Sequence, residues 1–267
     1  MATLVCFHAH PDDEAIATGG LMATAAAAGH RVVLVCATRG EQGEPQEGVL
    51  DDGEELWQRR IVELATSAEL LGAEEPRYLD YEDSGMMGEP TNDNPKCFWQ
   101  ADHDEATTRL VEILRDVDAE VLTIYDDHGG YGHPDHIRVH TVGLAATAQL
   151  GLEHVYESTI NRDTVRQMMM ANQGPDADVD TDQIELDVES FGTPHDDISF
   201  ALDVASVVDV KKQSIAAHRS QVGPDSFFLS MPDAMFAEAF GVEHFNLPGV
   251  TGTGGPTPVS VLPGLET

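Results

Sequence analysis

The chain predicts an α/β fold, a three-layer sandwich in which a mostly parallel sheet carries helices on both faces. Two observations carry that prediction: short apolar runs of strand length alternate with segments of helical spacing, and the helical segments stop at glycine. The first strand, helix and strand are joined by a connection long enough for a right-handed parallel crossover. At 267 residues the chain can bury the core of one large domain.

In chain order, Leu4 to Phe7 reads as a strand, Glu14 to Ala28 as an alanine-rich helix closed by Gly29, and Val32 to Ala37 as a second strand. Asp51 to Leu71 places Leu56, Ile61, Leu64, Ala65, Ala68 and Leu71 at helical spacing before Gly72. Arg77 to Leu79 is a short strand. Glu105 to Val117 is a helix with Leu110, Val111 and Leu114 on one face, and Val121 to Tyr125 is the next strand. His136 to Leu150 is a helix stopped by Gly151, His154 to Thr159 is a fifth strand, and Lys211 to Arg219 is helical. The polar stretch Asp83 to Asp104 is too long for an idle connection and reads as a pocket wall. Gly174 to Asp197 reads as an acidic loop. A single domain over 1–250 is expected, followed by a mobile tail over 251–267, rich in Gly, Pro and Thr.

Composition excludes several functions. Forty-eight acidic residues against 14 basic ones give a net charge of −34, spread along the whole chain. Such a surface opposes binding to nucleic acid and to anionic membranes, and suggests a salt-rich cytoplasm where counterions screen self-repulsion. There is no apolar stretch of membrane-spanning length, and the first strand begins without a signal peptide, which points to the cytoplasm. Cys6, Cys36 and Cys97 are odd in number and two lie in apolar runs, so buried free thiols are expected.

The chemistry lies in two clusters, His8-Ala9-His10-Pro11-Asp12-Asp13-Glu14 and His133-Pro134-Asp135-His136, each following a strand. In the doubly wound order 3-2-1-4-5, strands one and four are neighbours, and ligands bind outside their C-terminal ends. The offset of three between His10 and Asp13 lets one turn of chain aim both at one ion, and His136 supplies a third ligand. A His/Asp/His set with an open position is that of a catalytic zinc, with Fe2+ as the alternative. Asp12, between two ligands, is free to act as general base toward a metal-held water; the competing reading is a helix cap. His133 reaches the same mouth, where as imidazolium it stabilises an oxyanion or protonates a leaving amine, and Asp135 can hold its ring. Tyr131, in Gly129-Gly130-Tyr131-Gly132, can donate to the oxyanion. His140 reads as a second layer or surface residue ahead of a fourth ligand, and His8 stays outside the ligand set. No G-x-G-x-x-G follows the first strand, so no dinucleotide site is expected.

At these residues the chain resembles the zinc-dependent N-deacetylases of the PIG-L or LmbE family. The family signature A-H-P-D-D-E stands at Ala9 to Glu14 and G-H-P-D-H at Gly132 to His136. Thr38 to Glu44, Asp83 to Met86, Tyr125 to His136 and Ala217-His218-Arg219-Ser220-Gln221 resemble the branch containing mycothiol-precursor deacetylase and mycothiol S-conjugate amidase. The resemblance covers roughly the first 235 residues. It implies a Rossmann-like fold and hydrolysis of an acetamide on N-acetylglucosamine carried by inositol or another aglycone. It matches His10, Asp13 and His136 to zinc ligands, Asp12 to the base, His133 and Tyr131 to the oxyanion side, and Arg60, Asp83 and Glu41 to sugar- or inositol-contacting positions. The expected partner is a small amino-sugar conjugate and, in a homo-oligomer, a second copy of the chain. An amidase cutting a larger acyl group, such as a thiol S-conjugate, is the near alternative. A non-catalytic metal-dependent sugar-binding protein is the alternative of another class, disfavoured because binding alone needs neither Asp12 nor His133.

Overall fold

In the computed structural model, which describes residues 1–172, 188–189 and 191–266, the sheet has eight strands in the order β3-β2-β1-β4-β5-β7-β6-β8. The strands are β1 Thr3–His8, β2 Arg31–Cys36, β3 Arg77–Tyr78, β4 Val121–Tyr125, β5 His154–Thr159, β6 Phe200–Asp203, β7 Val242–Asn246 and β8 Thr257–Val259. The first five are parallel, in the doubly wound order expected. Three further strands extend the sheet beyond it: β7 runs antiparallel to β5 and to β6, and β8 lies parallel to β6.

Alternate residues of the central strands feed two cores. Val5, Phe7, Val33, Val35, Leu122 and Ile124 pack on one face with Leu110 and Leu114 of α4 (His103–Asp116) and Val139 and Val142 of α6 (Pro134–Leu150). Leu4, Cys6, Leu34 and Cys36 pack on the other with Leu21 and Met22 of α2 (Gly19–Ala27) and Leu64 and Ala68 of α3 (Leu56–Leu70). All three cysteines are free and buried, and burial pushes the Cys6 thiol up to about 12. The remaining helices are α1 Asp13–Ala17, the single turn α5 Gly129–Gly132, α7 Arg162–Asn172, α8 Val208–Ala217, α9 Phe227–Ser230 and α10 Asp233–Phe240. Among the described residues no helix is long and apolar enough to cross a membrane.

Three expectations need correction. The helix foreseen over Glu14 to Ala28 is two helices, α1 and α2, broken at Thr18 (φ −135°) ahead of Gly19-Gly20. The new N-terminus is held from far away: Glu243 of β7 accepts the Gly20 and Leu21 N–H groups at 2.7 and 2.9 Å, and Lys211 Nζ balances its charge at 2.6 Å. The helix foreseen from Asp51 begins at Leu56, because Gly53 turns the chain at φ +82° and Gln58 takes the Glu55 N–H as a capping side chain. The tail over 251–267, expected mobile, contains β8 and fully buries Leu262 and Leu265; its sparse apolar residues fall where they cover the sheet. The acidic stretch Gly174 to Asp197 falls largely outside the described residues, although His195–Asp197 forms a short 3-10 turn.

Candidate functional site

Strands β1 and β4 lie side by side, with Leu4 opposite Val121, so the segments leaving their C-terminal ends meet. His10 follows β1, Asp13 opens α1, and His136 stands in the first turn of α6. Asp13 Oδ2 lies 3.3 Å from His10 Nδ1 and 3.3 Å from His136 Nε2, and it also accepts the His10 N–H at 2.9 Å. On its other edge the His136 ring donates from Nδ1 to the Gly129 carbonyl at 3.2 Å, which leaves the Nε2 lone pair facing Asp13. Tyr125 stacks on the same ring at 4.3 Å. Gly129 makes this approach possible: at φ +67°, a Cβ there would lie 2.4 Å from the His136 Cβ.

His10 is fixed from behind by Asp135, whose Oδ2 is 3.1 Å from His10 Nε2, with Asp83 Oδ1 at 3.4 Å. Asp135 is fully buried and is itself held by the Ser84 N–H at 2.9 Å and by the Ser84 hydroxyl. Three carboxylates thus converge on one imidazole. Ligand atoms of His10, His133 and His136, and of His10, Asp83, His133 and Asp135, lie within 4.8 Å of one another, and Asp13 faces the His10 Nδ1 and His136 Nε2 lone pairs, a nitrogen and oxygen donor set that fits a His/Asp metal site.

Asp12 stands beside this group but makes different contacts. Its Oδ2 is 3.1 Å from Arg60 Nη2, and 21% of its side chain is exposed, against none of Asp135, so it faces the open side. Burial raises its carboxyl, with Arg60 opposing. Its main chain is in the positive-φ region at +114°, a conformation that costs of order 1–3 kcal/mol outside glycine. The competing reading of Asp12 as a helix cap is not met: no side-chain cap hydrogen bond forms at that end of α1.

His133 lies 4.5 Å from His10 and 5.2 Å from His136, ring centre to ring centre, and Tyr131 brings its hydroxyl to 3.5 Å from His136 Nε2. Two expectations change here. The Asp135 carboxylate holds His10, and only its main-chain N–H reaches His133, donating to Nδ1 at 3.2 Å, because Asp135 follows an N-cap whose ring accepts from the first turn. With Nδ1 accepting, His133 is a neutral ring carrying its proton on Nε2 instead of an imidazolium, and burial, the largest cause, pushes it down to about 3.

Of the residues expected to contact a sugar, Asp83 and Glu41 border the site: Glu41 accepts the Asp83 N–H at 3.0 Å, and Asp83 takes the Gly85 and Gln42 N–H groups at 2.9 and 3.2 Å. Arg60 is 3% exposed and binds the Gly40 and Pro11 carbonyls as well as Asp12, so its place is behind the base. His140 donates to the Tyr125 carbonyl at 3.0 Å, away from the cluster, and His8 is locked between Tyr125 and Thr18, each at 2.8 Å. Sequence reasoning assigned no role to Ser84 or to His218, which meets Glu14 inside the protein. Both sat in quoted motifs, and only the folded chain shows their partners.

A family model described as PIG-L, GlcNAc-PI de-N-acetylase, matches residues 5–147. The chain is 39% identical over 257 residues to the 1D-myo-inositol 2-acetamido-2-deoxy-alpha-D-glucopyranoside deacetylase of Acidothermus cellulolyticus, covering 92% of this chain and 88% of that one. It is 37% identical over 262 residues to the protein of the same name from Salinispora arenicola, covering 91% and 84%. Among solved structures, N,N'-diacetylchitobiose deacetylase from Pyrococcus horikoshii aligns with a TM-score of 0.60 at 22% identity, over 94% of this chain and 84% of that one. A zinc-inhibited form of teicoplanin deacetylase aligns at 0.59 and 15% identity, over 91% and 96%. These two likenesses carry the fold, and the matched residues with the curated relatives carry the lineage: the chain belongs to the PIG-L family, the GlcNAc-PI de-N-acetylases.

Proposed function

We propose that the protein is a zinc-dependent N-deacetylase that hydrolyses the acetamide of an N-acetylglucosamine conjugate, with an inositol-type aglycone as the substrate class. The observation that carries this reading is the placement of Asp13 Oδ2 at 3.3 Å from both His10 Nδ1 and His136 Nε2, with the neighbouring Asp12 carboxylate separately engaged by Arg60. His10, Asp13 and His136 would hold the ion, zinc ahead of Fe2+. When bound, zinc would lower the pKa of a water and polarise the acetamide carbonyl.

The chain's own residues do the rest. Asp12, raised by burial and open to the mouth, accepts the proton of the attacking water. His133 from Nε2 and Tyr131 from its hydroxyl donate to the carbonyl oxygen as it gains charge. The proton held by Asp12 then goes to the departing amine. Glu41, partly exposed and accepting the Asp83 N–H, would accept from a sugar hydroxyl, with the buried Asp83 behind it. The relatives named for deacetylating an inositol glucosaminide support the aglycone. A cytoplasmic setting is proposed with it, supported by three unpaired buried thiols.

The test measures acetate and free amine from N-acetylglucosamine, its inositol conjugate and a thiol S-conjugate, with added zinc. Acetate from the inositol conjugate is expected, lost on chelation and restored by zinc. It is also lost in Asp12→Ala while bound metal persists. Release of a larger acid from the thiol conjugate, with no acetate from the others, would replace this reading by the amidase one.

A further inference from the structure

The segment Ala217 to Gln221 resembles the family branch, yet none of its residues enters the chemistry above. Its His218 is fully buried and sits 2.6 Å, through Nε2, from Glu14 Oε1, although 204 residues separate the two. Ser67 of α3 donates to the same oxygen at 2.5 Å. The other oxygen, Glu14 Oε2, accepts the Asp12 main-chain N–H at 2.9 Å. Glu14 is thus a carboxylate with one oxygen anchored from the protein interior and the other fastened to the backbone of the residue at φ +114°. The Asp12 side chain makes no cap bond of its own, so the hold on its N–H comes from the Glu14 carboxylate, while its carbonyl accepts the Ala15 N–H at 3.2 Å. Two residues on, Ser220 ties the same segment to α3, giving its N–H and hydroxyl to Glu63 at 2.8 and 2.6 Å.

We propose that His218 and Ser67 are positioning residues of the reaction: through Glu14 they hold the Asp12 main chain in its strained turn and so keep the base's carboxylate aimed at the mouth on Arg60. The inference rests on Asp12 being the base. Fixing both oxygens of Glu14 leaves the Asp12 N–H one partner in one place, and that N–H sets the direction of the side chain. Misplacing a catalytic group by about 1 Å can cost about a hundredfold in rate without weakening substrate binding.

The test compares kcat, KM and bound zinc in His218→Ala, His218→Gln, Ser67→Ala and Asp12→Asn, each assayed as the zinc-loaded full chain. His218→Ala is expected to lose about tenfold or more in kcat with KM and zinc content within about twofold of the parent. His218→Gln, which keeps an N–H for Glu14 Oε1, should recover most of that loss, and Ser67→Ala should lose about threefold. A kcat within about twofold of the parent in His218→Ala, a loss that follows lost zinc, or a glutamine no better than alanine overturns the proposal. If His218→Ala does not yield folded protein, Ser67→Ala decides alone, and an unchanged kcat there overturns it. Turnover retained in Asp12→Asn would instead remove the base assignment itself, whatever the His218 variants do.

Discussion

The carboxylate of Asp135 lies 3.1 Å from Nε2 of His10, on the opposite edge of the ring from Asp13. A ring that donates from Nε2 in this way presents the Nδ1 lone pair toward Asp13, and such outer partners typically change metal affinity by about 10–100-fold. Asp135→Asn removes the charge but keeps an oxygen for Ser84. It is expected to weaken zinc binding by about tenfold in a chelator competition. Undiminished binding would take Asp135 out of this role and leave it a structural anchor for the Asp83–Ser84 turn.

Tyr131 is 39% exposed, with its hydroxyl 3.5 Å from His136 Nε2, and burial raises that hydroxyl above its ordinary value, so it stays a donor through the neutral range. Removing one donor to a developing oxyanion costs about 10²–10³ in kcat at enclosed sites. At this open position Tyr131→Phe should lose about 10²-fold or less, with zinc content and melting temperature unchanged. A variant as fast as the parent would leave His133 as the chain's donor.

How much of this was legible before folding follows from sequence distance. His10 and Asp13 share one turn, and His136 follows the strand next to theirs, so pattern and topology together were enough to bring them to one place. Asp135 was paired with the wrong histidine because proximity along the chain favours His133, while the contact that forms spans 125 residues to His10. Ser84 and His218 gave no sign of their partners for the same reason, lying 51 and 204 residues from Asp135 and Glu14. The break at Thr18 depends on Glu243, 223 residues from Gly20, in a strand too short and too polar to stand out. Arg60 was assigned a substrate contact from resemblance alone. Burial, which no motif records, puts it behind Asp12 instead.

Glu157 supplies a pH signature away from the site. Burial, with Asp126 and Asp127 nearby, raises its carboxyl from 4.5 to about 7, while His128 opposes. Because the folded value lies above the unfolded one, its contribution is fully present below about pH 4.5 and is lost as pH rises through about 7. Glu157→Gln keeps the shape and removes the ionisation. It should melt higher than the parent at pH 8, and the difference should shrink to nothing by about pH 4.5. A constant difference across that range would mean that the carboxyl does not titrate where its surroundings place it.

The acidic surface makes a prediction about salt. With 48 acidic and 14 basic residues, the repulsion among like charges outweighs what exposed ion pairs such as Arg39–Asp80 and Arg77–Asp116 return, since such pairs contribute about 0–1 kcal/mol each. Salt weakens both, but there is far more repulsion to remove. Raising KCl from 0.1 M to 1 M shortens the screening length from about 10 Å to about 3 Å. A gain of even 2 kcal/mol in a chain of this size corresponds to a melting temperature higher by about 4–8 °C. Melting curves of the zinc-loaded protein across that range are expected to rise steadily, with turnover following at temperatures near the low-salt midpoint. A midpoint that stays level or falls would show that the charge is accommodated without counterions, and would reject adaptation to a salt-rich interior.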